Sequence, residues 1–138
     1  MAMETRAVLA MHEPVTNMLT IWTGSQTPHI GRRMIADMLD RHVESIRSIA
    51  PDVGGGFGPK AVFYAEEAVI AACALKLGQP VKWVEDRREH FICATQERDQ
   101  YWNVAIAVEA DGRIRGVRGT MLHDTGAFVP WGIIMPYI

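Results

Sequence analysis

The stretch Asp52-Val53-Gly54-Gly55-Gly56-Phe57-Gly58-Pro59-Lys60 constrains the fold of this chain more than any other segment. It places four glycines in five positions around one aromatic residue. Glycine lacks a Cβ and enters left-handed backbone angles freely, but it loses the most conformational freedom on folding, so a run this dense is foreign to a helix or strand. Pro59 fixes its own φ and removes a backbone donor. The segment is therefore a loop whose main chain can approach a neighbour closely. Backbone N–H groups turned toward one point form a concavity for anionic or oxo oxygens; the plainer reading is a tight turn between two packed elements.

Two common nucleotide cradles fail on spacing. A Walker-type loop needs Gly-Lys-Ser/Thr after its four-residue gap, whereas here Lys60 follows Pro59 and Ala61 stands where the magnesium-binding hydroxyl belongs. A dinucleotide fingerprint needs glycine three places after Gly56, and that place is Pro59.

The chain has 138 residues, enough for one domain with a real core. With 49% hydrophobic and 22% charged residues it is not a disordered tail. A net charge of −2 without basic blocks argues against a nucleic-acid partner. No apolar run approaches the ~18 residues that would span a bilayer, and residues 1–6 lack the apolar core of a signal peptide. Cys73 and Cys93 are too few and too separated for a zinc site or a disulfide framework. Cys73, inside an apolar helical pattern, reads as a buried inert thiol, and reduced thiols suit a cytoplasmic protein. The histidines show no metal-ligand spacing. The chain enters a strand almost at once and finishes on the apolar run 131–138, so it reads as one partial domain, 1–138, truncated at both ends.

Residues 6–11 and 18–22 read as strands around a turn at Glu13-Pro14 and Asn17. Thr27 is a candidate cap, Pro28 suits the first helical position, and Ile30, Met34 and Met38 make an apolar stripe at helical spacing. Residues 42–49 read as a strand. After the glycine loop, residues 64–77 read as a helix, with Glu66 and Glu67 near its start and Lys76 near its end. The continuous apolar run 68–75 implies burial nearly all round, and Gly78 and Pro80 stop the helix. Residues 81–84 read as a strand, 87–94 as a short helix and 95–99 as a polar connection. Residues 101–108 alternate, with Val104, Ile106 and Val108 on one face, and Asp111-Gly112 signals a two-residue hairpin into 114–122. This order, β-β-α-β-loop-α-β-α-β-β, predicts an α+β fold with a mixed sheet and packed helices.

Several motifs then coincide. Ser25-Gln26, Pro28-His29 and the loop from Asp52 to Lys60 are followed by Pro80-Val81-Lys82-Trp83-Val84-Glu85-Asp86-Arg87 with Glu89-His90-Phe91. After these come Asp111-Gly112-Arg113-Ile114 and Asp124-Thr125-Gly126-Ala127-Phe128. In this combination and order the chain resembles the molybdopterin-binding large subunit of the xanthine dehydrogenase, aldehyde oxidase and carbon monoxide dehydrogenase family. The resemblance covers essentially the whole chain.

It implies a molybdenum–molybdopterin cofactor, in its plain or cytosine dinucleotide form, at which a carbon is hydroxylated with oxygen from water. It also implies iron–sulfur clusters and FAD on other domains or subunits. Gln26 matches the family glutamine whose amide approaches an oxygen ligand of molybdenum, donating without adding charge. Gly55, Gly56, Phe57 and Gly58 match the loop whose backbone amides face the metal oxygen and the pterin, so Gln26 and Phe57 are the two metal-facing positions. Lys60 either neutralises a cofactor phosphate or is a solvated lysine beside the loop. Glu66 and Glu67 suit capping or dipole roles. Glu85, Asp86, Arg87, Arg88 and Glu89 read as a solvated or locally paired helix start, Asp124 as a structural hydrogen-bonding group, and Met3, Met11, Met18, Met34 and Met38 as core filler.

The family's general base is a glutamate in a second glycine-containing motif that this sequence lacks, and no residue here is assigned a catalytic role. The expected partners are the remainder of a large subunit, iron–sulfur and flavin subunits or domains, and a small-molecule substrate such as an aldehyde or N-heterocycle. The alternative is a non-catalytic remnant or interaction module that keeps the fold and binds no metal.

Overall fold

The computed structural model describes residues 2–95 and 99–124. Three of the sequence readings reach outside these limits: the polar connection 95–99 at residues 96–98, the apolar run 131–138, and residues 125–128 of the last motif. The chain divides into two compact units, Met1–Thr95 and Gln96–Ile138.

The first unit is a four-stranded mixed sheet with helices against one face. Strand β1 (Ala7–Glu13) pairs antiparallel with β2 (Met18–Thr23), and β3 (Ile46–Ile49) runs parallel to β2. Strand β4 (Val81–Val84) pairs antiparallel with the other edge of β1, giving the order β3-β2-β1-β4. Helix α1 (Pro28–Met38) connects β2 to β3, α2 (Ala65–Leu77) leads into β4, and α3 (Arg87–Cys93) follows it. Successive strand side chains point to opposite faces. Val8, Ala10, Leu19, Ile21 and Ile46 thus form one buried face, against which Ile35, Ala36, Ala71 and Ala74 of the helices pack. Each large aliphatic side chain buried there contributes about 1.5–3 kcal/mol.

The mixed α+β order agrees with the sequence reading; several local expectations do not. The strand expected over 42–49 is shortened, because Val43–Ser45 forms a 3₁₀ turn and only Ile46–Ile49 joins the sheet. Two carbonyls explain this. Val43 O accepts from the Arg32 guanidinium at 2.7 and 3.0 Å, and His42 O accepts from Ser45 N and Oγ at 2.9 and 2.7 Å. Neither is left for a ladder. The stripe Ile30, Met34 and Met38 faces outward; Gly31, Ile35 and Ala36 are the buried residues of α1. Gly31 faces the start of α2: a Cβ there would stand in ordinary contact, 3.6 Å from the Phe63 ring and 3.7 Å from Glu67 Oε2. Met3 and Met11 are exposed as well, so these methionines are mostly not core filler.

Helix α2 is likewise not buried all round. It turns Ala71 and Ala74 inward and leaves Val69 exposed, with Cys73 half-buried rather than fully buried. Thr27 occupies the cap position of α1, but its hydroxyl donates to Ala61 O at 2.9 Å and does not cap the helix. Gly78 ends α2 at φ +63°, the left-handed cap its position suggests.

In the second unit, β5 (Gln100–Val108) and β6 (Ile114–His123) form an antiparallel hairpin. The turn is not the two-residue type expected from Asp111-Gly112. Glu109 N donates to Arg113 O and Gly112 N to Glu109 O, enclosing a three-residue loop with Gly112 at φ +87°. Val104, Ile106 and Val108 do share a face, and it is exposed.

Candidate functional site

The glycine loop lies against the junction between β2 and α1. Its φ angles alternate from Gly54 to Phe57, with Gly55 at +98° and Phe57 at +55° and Gly54 and Gly56 outside the positive region; Gly58, at +95°, ends the alternation. Gly54 N–H donates to Glu4 Oε2 at 2.8 Å and Gly58 N–H to Gln26 Oε1 at 3.1 Å. Between them, the N–H groups of Gly55, Gly56 and Phe57 have no hydrogen-bond partner among the described residues. Three consecutive free donors in an alternating backbone are what an oxygen-rich group requires of a main-chain cradle.

The glycines at 54 and 56 are there for proximity. A Cβ on Gly54 would stand 2.5 Å from Glu4 Cβ. One on Gly56 would collide with Gln26 Oε1 and lie 2.5 and 2.7 Å from Gln26 Cδ and Cγ. Gln26 therefore lies flush on the loop because residue 56 has no side chain.

Gln26 is held at both ends. Its backbone N–H donates to Lys60 O at 2.8 Å, and its Oε1 accepts from Gly58. Anchoring Oε1 leaves Nε2 with two donor hydrogens and no partner among the described residues. Phe57 is 68% exposed and yet sits at a positive φ. A bulky residue in that region costs about 1–3 kcal/mol, and such strain concentrates where a ligand or reaction requires it. Gln26, Gly55, Gly56, Phe57 and Gly58 are thus brought together, with Gln26 and Phe57 open to solvent.

Lys60 is not the solvated lysine of the sequence reading, nor is it free for a phosphate. It is 2% exposed and its Nζ is 2.7 Å from Glu4 Oε2. The Lys60 hydrogen bond, helped by Gly54 N–H, holds the Glu4 carboxyl below the usual carboxylate range.

Glu67 closes a capping box on Tyr64, as its place in the first turn suggests, and burial pushes its pKa up. Glu66 instead pairs with Arg6, Nη2 to Oε1 at 3.3 Å.

Glu85 corrects the sequence reading most sharply. It is not solvated, being 2% exposed, and its local partner is His90 rather than one of the adjacent charges. It receives Arg6 Nη2 at 2.5 Å, Arg6 Nε and Arg6 N at 3.0 Å, and sits 2.7 Å from His90 Nδ1. Burial alone would raise its pKa, but the Arg6 and His90 hydrogen bonds outweigh that and lower it. The Arg6 guanidinium also stacks 3.7 Å from the Tyr64 ring centroid. Asp86 and Glu89 behave as read, forming a capping box on α3, and Arg88 is exposed to solvent. Arg6, Glu85 and Glu4 escaped the sequence analysis because their partners lie 50 to 80 positions away.

Comparison with known proteins places this geometry in context. The family model described as "Molybdopterin cofactor-binding domain" matches residues 1–138. The chain is 39% identical over 126 residues to the nicotine 6-hydroxylase large subunit of Paenarthrobacter nicotinovorans, covering 91% of this chain and 15% of that protein. It is 35% identical over 126 residues to the carbon monoxide dehydrogenase large chain of Hydrogenophaga pseudoflava, covering 91% of this chain and 16% of that one. Among solved structures, quinoline 2-oxidoreductase from Pseudomonas putida 86 superposes with a TM-score of 0.75 at 38% identity, over 94% of this chain and 17% of its own. The chain thus spans about a sixth of the length of these relatives.

Proposed function

Because this chain belongs to the molybdopterin cofactor-binding domain family, whose model it matches from residue 1 to residue 138, we propose that Gln26 and residues 55–58 hold a molybdenum–molybdopterin cofactor within a larger hydroxylase. The observation that carries this reading is the pairing of Gln26 with the strained loop. A neutral, exposed amide with a free Nε2 lies against a loop whose three consecutive backbone N–H groups have no hydrogen-bond partner among the described residues. That donor set fits a group rich in oxygen and sulfur acceptors, and it adds no formal charge beside the metal.

When bound, the cofactor would supply oxidation of a substrate carbon with oxygen drawn from water. The chain's own contributions are positional. Gln26 Oε1 is held by Gly58 N–H, so Nε2 is oriented before any ligand arrives. The glycines let main-chain donors come close, and the exposed Phe57 ring covers one side of the loop against water. Glu4 is the loop's nearby carboxylate and is already committed to Lys60 and Gly54, so the general base for turnover is assigned to another part of the enzyme.

The relatives include proteins named nicotine 6-hydroxylase, abscisic-aldehyde oxidase and quinoline 2-oxidoreductase. On that ground the substrate is proposed to be an N-heterocycle or aldehyde, with electrons leaving through iron–sulfur and flavin partners. A cytoplasmic location and the cytosine dinucleotide form of the cofactor belong to the same proposal.

The test is a Gln26→Ala variant of the holoenzyme, with molybdenum per subunit measured beside turnover. Turnover should fall at least tenfold more than metal content, since a lost oriented donor costs about 10²–10³ in comparable sites. Full turnover at full metal loading would remove Gln26 from this role.

A further inference from the structure

Lys60 raises a question that the cofactor reading does not answer: why a lysine is buried beside an exposed glycine loop. Its side chain is 1% exposed and meets a single counter-charge, Glu4 Oε2 at 2.7 Å. The same Oε2 accepts Gly54 N–H at 2.8 Å, and Glu4 N donates back to Gly54 O at 3.2 Å. Lys60 O in turn accepts Gln26 N at 2.8 Å. The loop's two ends and the Gln26 backbone are therefore joined through one ion pair. The segment bearing Glu4 is itself fastened: Met3 O accepts Arg87 Nη2 at 2.5 Å, and Thr5 Oγ1 donates to Glu85 O at 2.7 Å.

We infer that Glu4 and Lys60 are positioning residues, a half-buried clasp that sets the glycine loop against Gln26 and so fixes the spacing of the donors the cofactor would meet. The inference rests on the proposed cofactor role only for its consequence; the clasp itself is a property of the folded chain. Gly24 also lies beside the pair, at ordinary contact distance. A Cβ on Gly24 would stand 3.6 Å from both Lys60 Nζ and Glu4 Oε2, so the β2–α1 junction packs directly on the pair.

The geometry dictates unequal effects for the two partners. Glu4→Gln keeps an acceptor for Gly54 N–H but leaves the Lys60 ammonium buried without a counter-charge. Lys60→Met removes the charge at similar length and leaves a carboxylate that is 44% exposed and can hydrate. Glu4→Gln should therefore disturb the loop more than Lys60→Met, and the double variant should recover part of the loss because no unpaired buried charge remains.

The experiment is amide hydrogen exchange on the full chain for wild type, Glu4→Gln, Lys60→Met and the double variant. Gly54, Gly58 and Gln26 are the reporters, with Ile21 and Ala74 as core references. The clasp predicts at least ~tenfold faster exchange at the three reporters in Glu4→Gln, a smaller rise in Lys60→Met, and core references that move much less. Unchanged reporter exchange, or a rise that the core amides match in every variant, overturns it. Should Glu4→Gln fail to fold, Lys60→Met with the double variant gives the same comparison. In parallel, molybdenum content of the holoenzyme should drop at least ~fivefold in Glu4→Gln if both readings hold. A wild-type holoenzyme without molybdenum would refute the cofactor role and leave the exchange pattern to judge the clasp alone.

Discussion

Gly56→Ala separates a close-packed, oriented Gln26 from a surface glutamine that happens to lie near a turn. Residue 56 is not at a positive φ, so alanine is not excluded by backbone angle. What it meets is Gln26, whose Oε1 it would overlap and whose Cδ and Cγ would lie at 2.5 and 2.7 Å. Ordinary carbon contacts need about 3.5 Å, so the amide must move by roughly 1 Å and release Gly58 N–H. Gln26 is exposed and can swing into water. The loss is then one hydrogen bond, about 0.5–1.5 kcal/mol, offset by the roughly 0.4–1 kcal/mol that Gly→Ala gains through the unfolded chain. Net stability should change by less than ~1 kcal/mol, whereas a ~1 Å misplacement of a positioned group costs about 10²-fold in rate. The assay is turnover of the holoenzyme with molybdenum counted, together with a urea-unfolding cycle of Gly56→Ala, Gln26→Ala and the double variant. With Gln26 truncated the obstructing atoms are gone, so Gly56→Ala should become neutral or stabilising. Additive unfolding energies, or turnover within ~threefold of wild type, would refute the packing argument.

Phe57→Gly should leave stability within about 1 kcal/mol or raise it, because relief of the positive φ offsets glycine's entropy and the ring is exposed; it should still lower cofactor retention. A melting temperature several degrees lower would show that the ring anchors the loop. Arg6→Met should cost about 3–5 kcal/mol by stranding the buried Glu85 carboxylate, measured by denaturant midpoint, and a loss below ~1 kcal/mol would contradict that pairing. Glu4 and Glu85 both have lowered pKa values in the fold. Their contribution is therefore complete above the ordinary carboxylate range and lost as pH falls through the lowered folded values, while Glu67, raised by burial, shifts the balance the opposite way. Urea midpoints between pH 7 and 3 should fall on the acid side, less steeply for Glu85→Gln; identical slopes would exclude Glu85 as a source.

Elements announced by local chemistry were legible in the sequence. Pro28 marks the start of α1, Gly78 ends α2, and the alternation after residue 100 marks β5, because each signal depends on the residue's own backbone preferences. Facing was not legible where two faces of one helix were both plausible. In α1 the larger residues Ile30, Met34 and Met38 suggested the core, but the helix turns Gly31, Ile35 and Ala36 inward instead. Polar pairing was the least legible. Nothing near Glu85 in the sequence indicates that its partner is Arg6, 79 positions away, and a run of charges beside it suggested solvent. The site residues themselves were read from the family resemblance. The contact between Gln26 and Gly56, which gives that glycine its reason, emerges only when both segments meet at Lys60.

The burial of Lys60 follows from the composition of the loop. Residues 54–58 offer four glycines with no side chain and one phenylalanine that is largely exposed and lies over Gly55, so the loop has little apolar area with which to anchor itself. In the proposed cofactor role its own free N–H groups also stay uncommitted. Fixing such a segment therefore falls to its ends. An apolar residue at position 60 could bury area, but it would not select one register for Gly54 and Gln26 together. A lysine facing a single carboxylate that also takes Gly54 N–H does select one, because any slip strands a buried charge. Buried ion pairs contribute little net stability, and setting a register is their best-supported use. The strain at Phe57 and the pair at Glu4–Lys60 are thus two parts of one arrangement: the loop is held in an unfavourable conformation because both of its ends are fixed by contacts that tolerate no slippage.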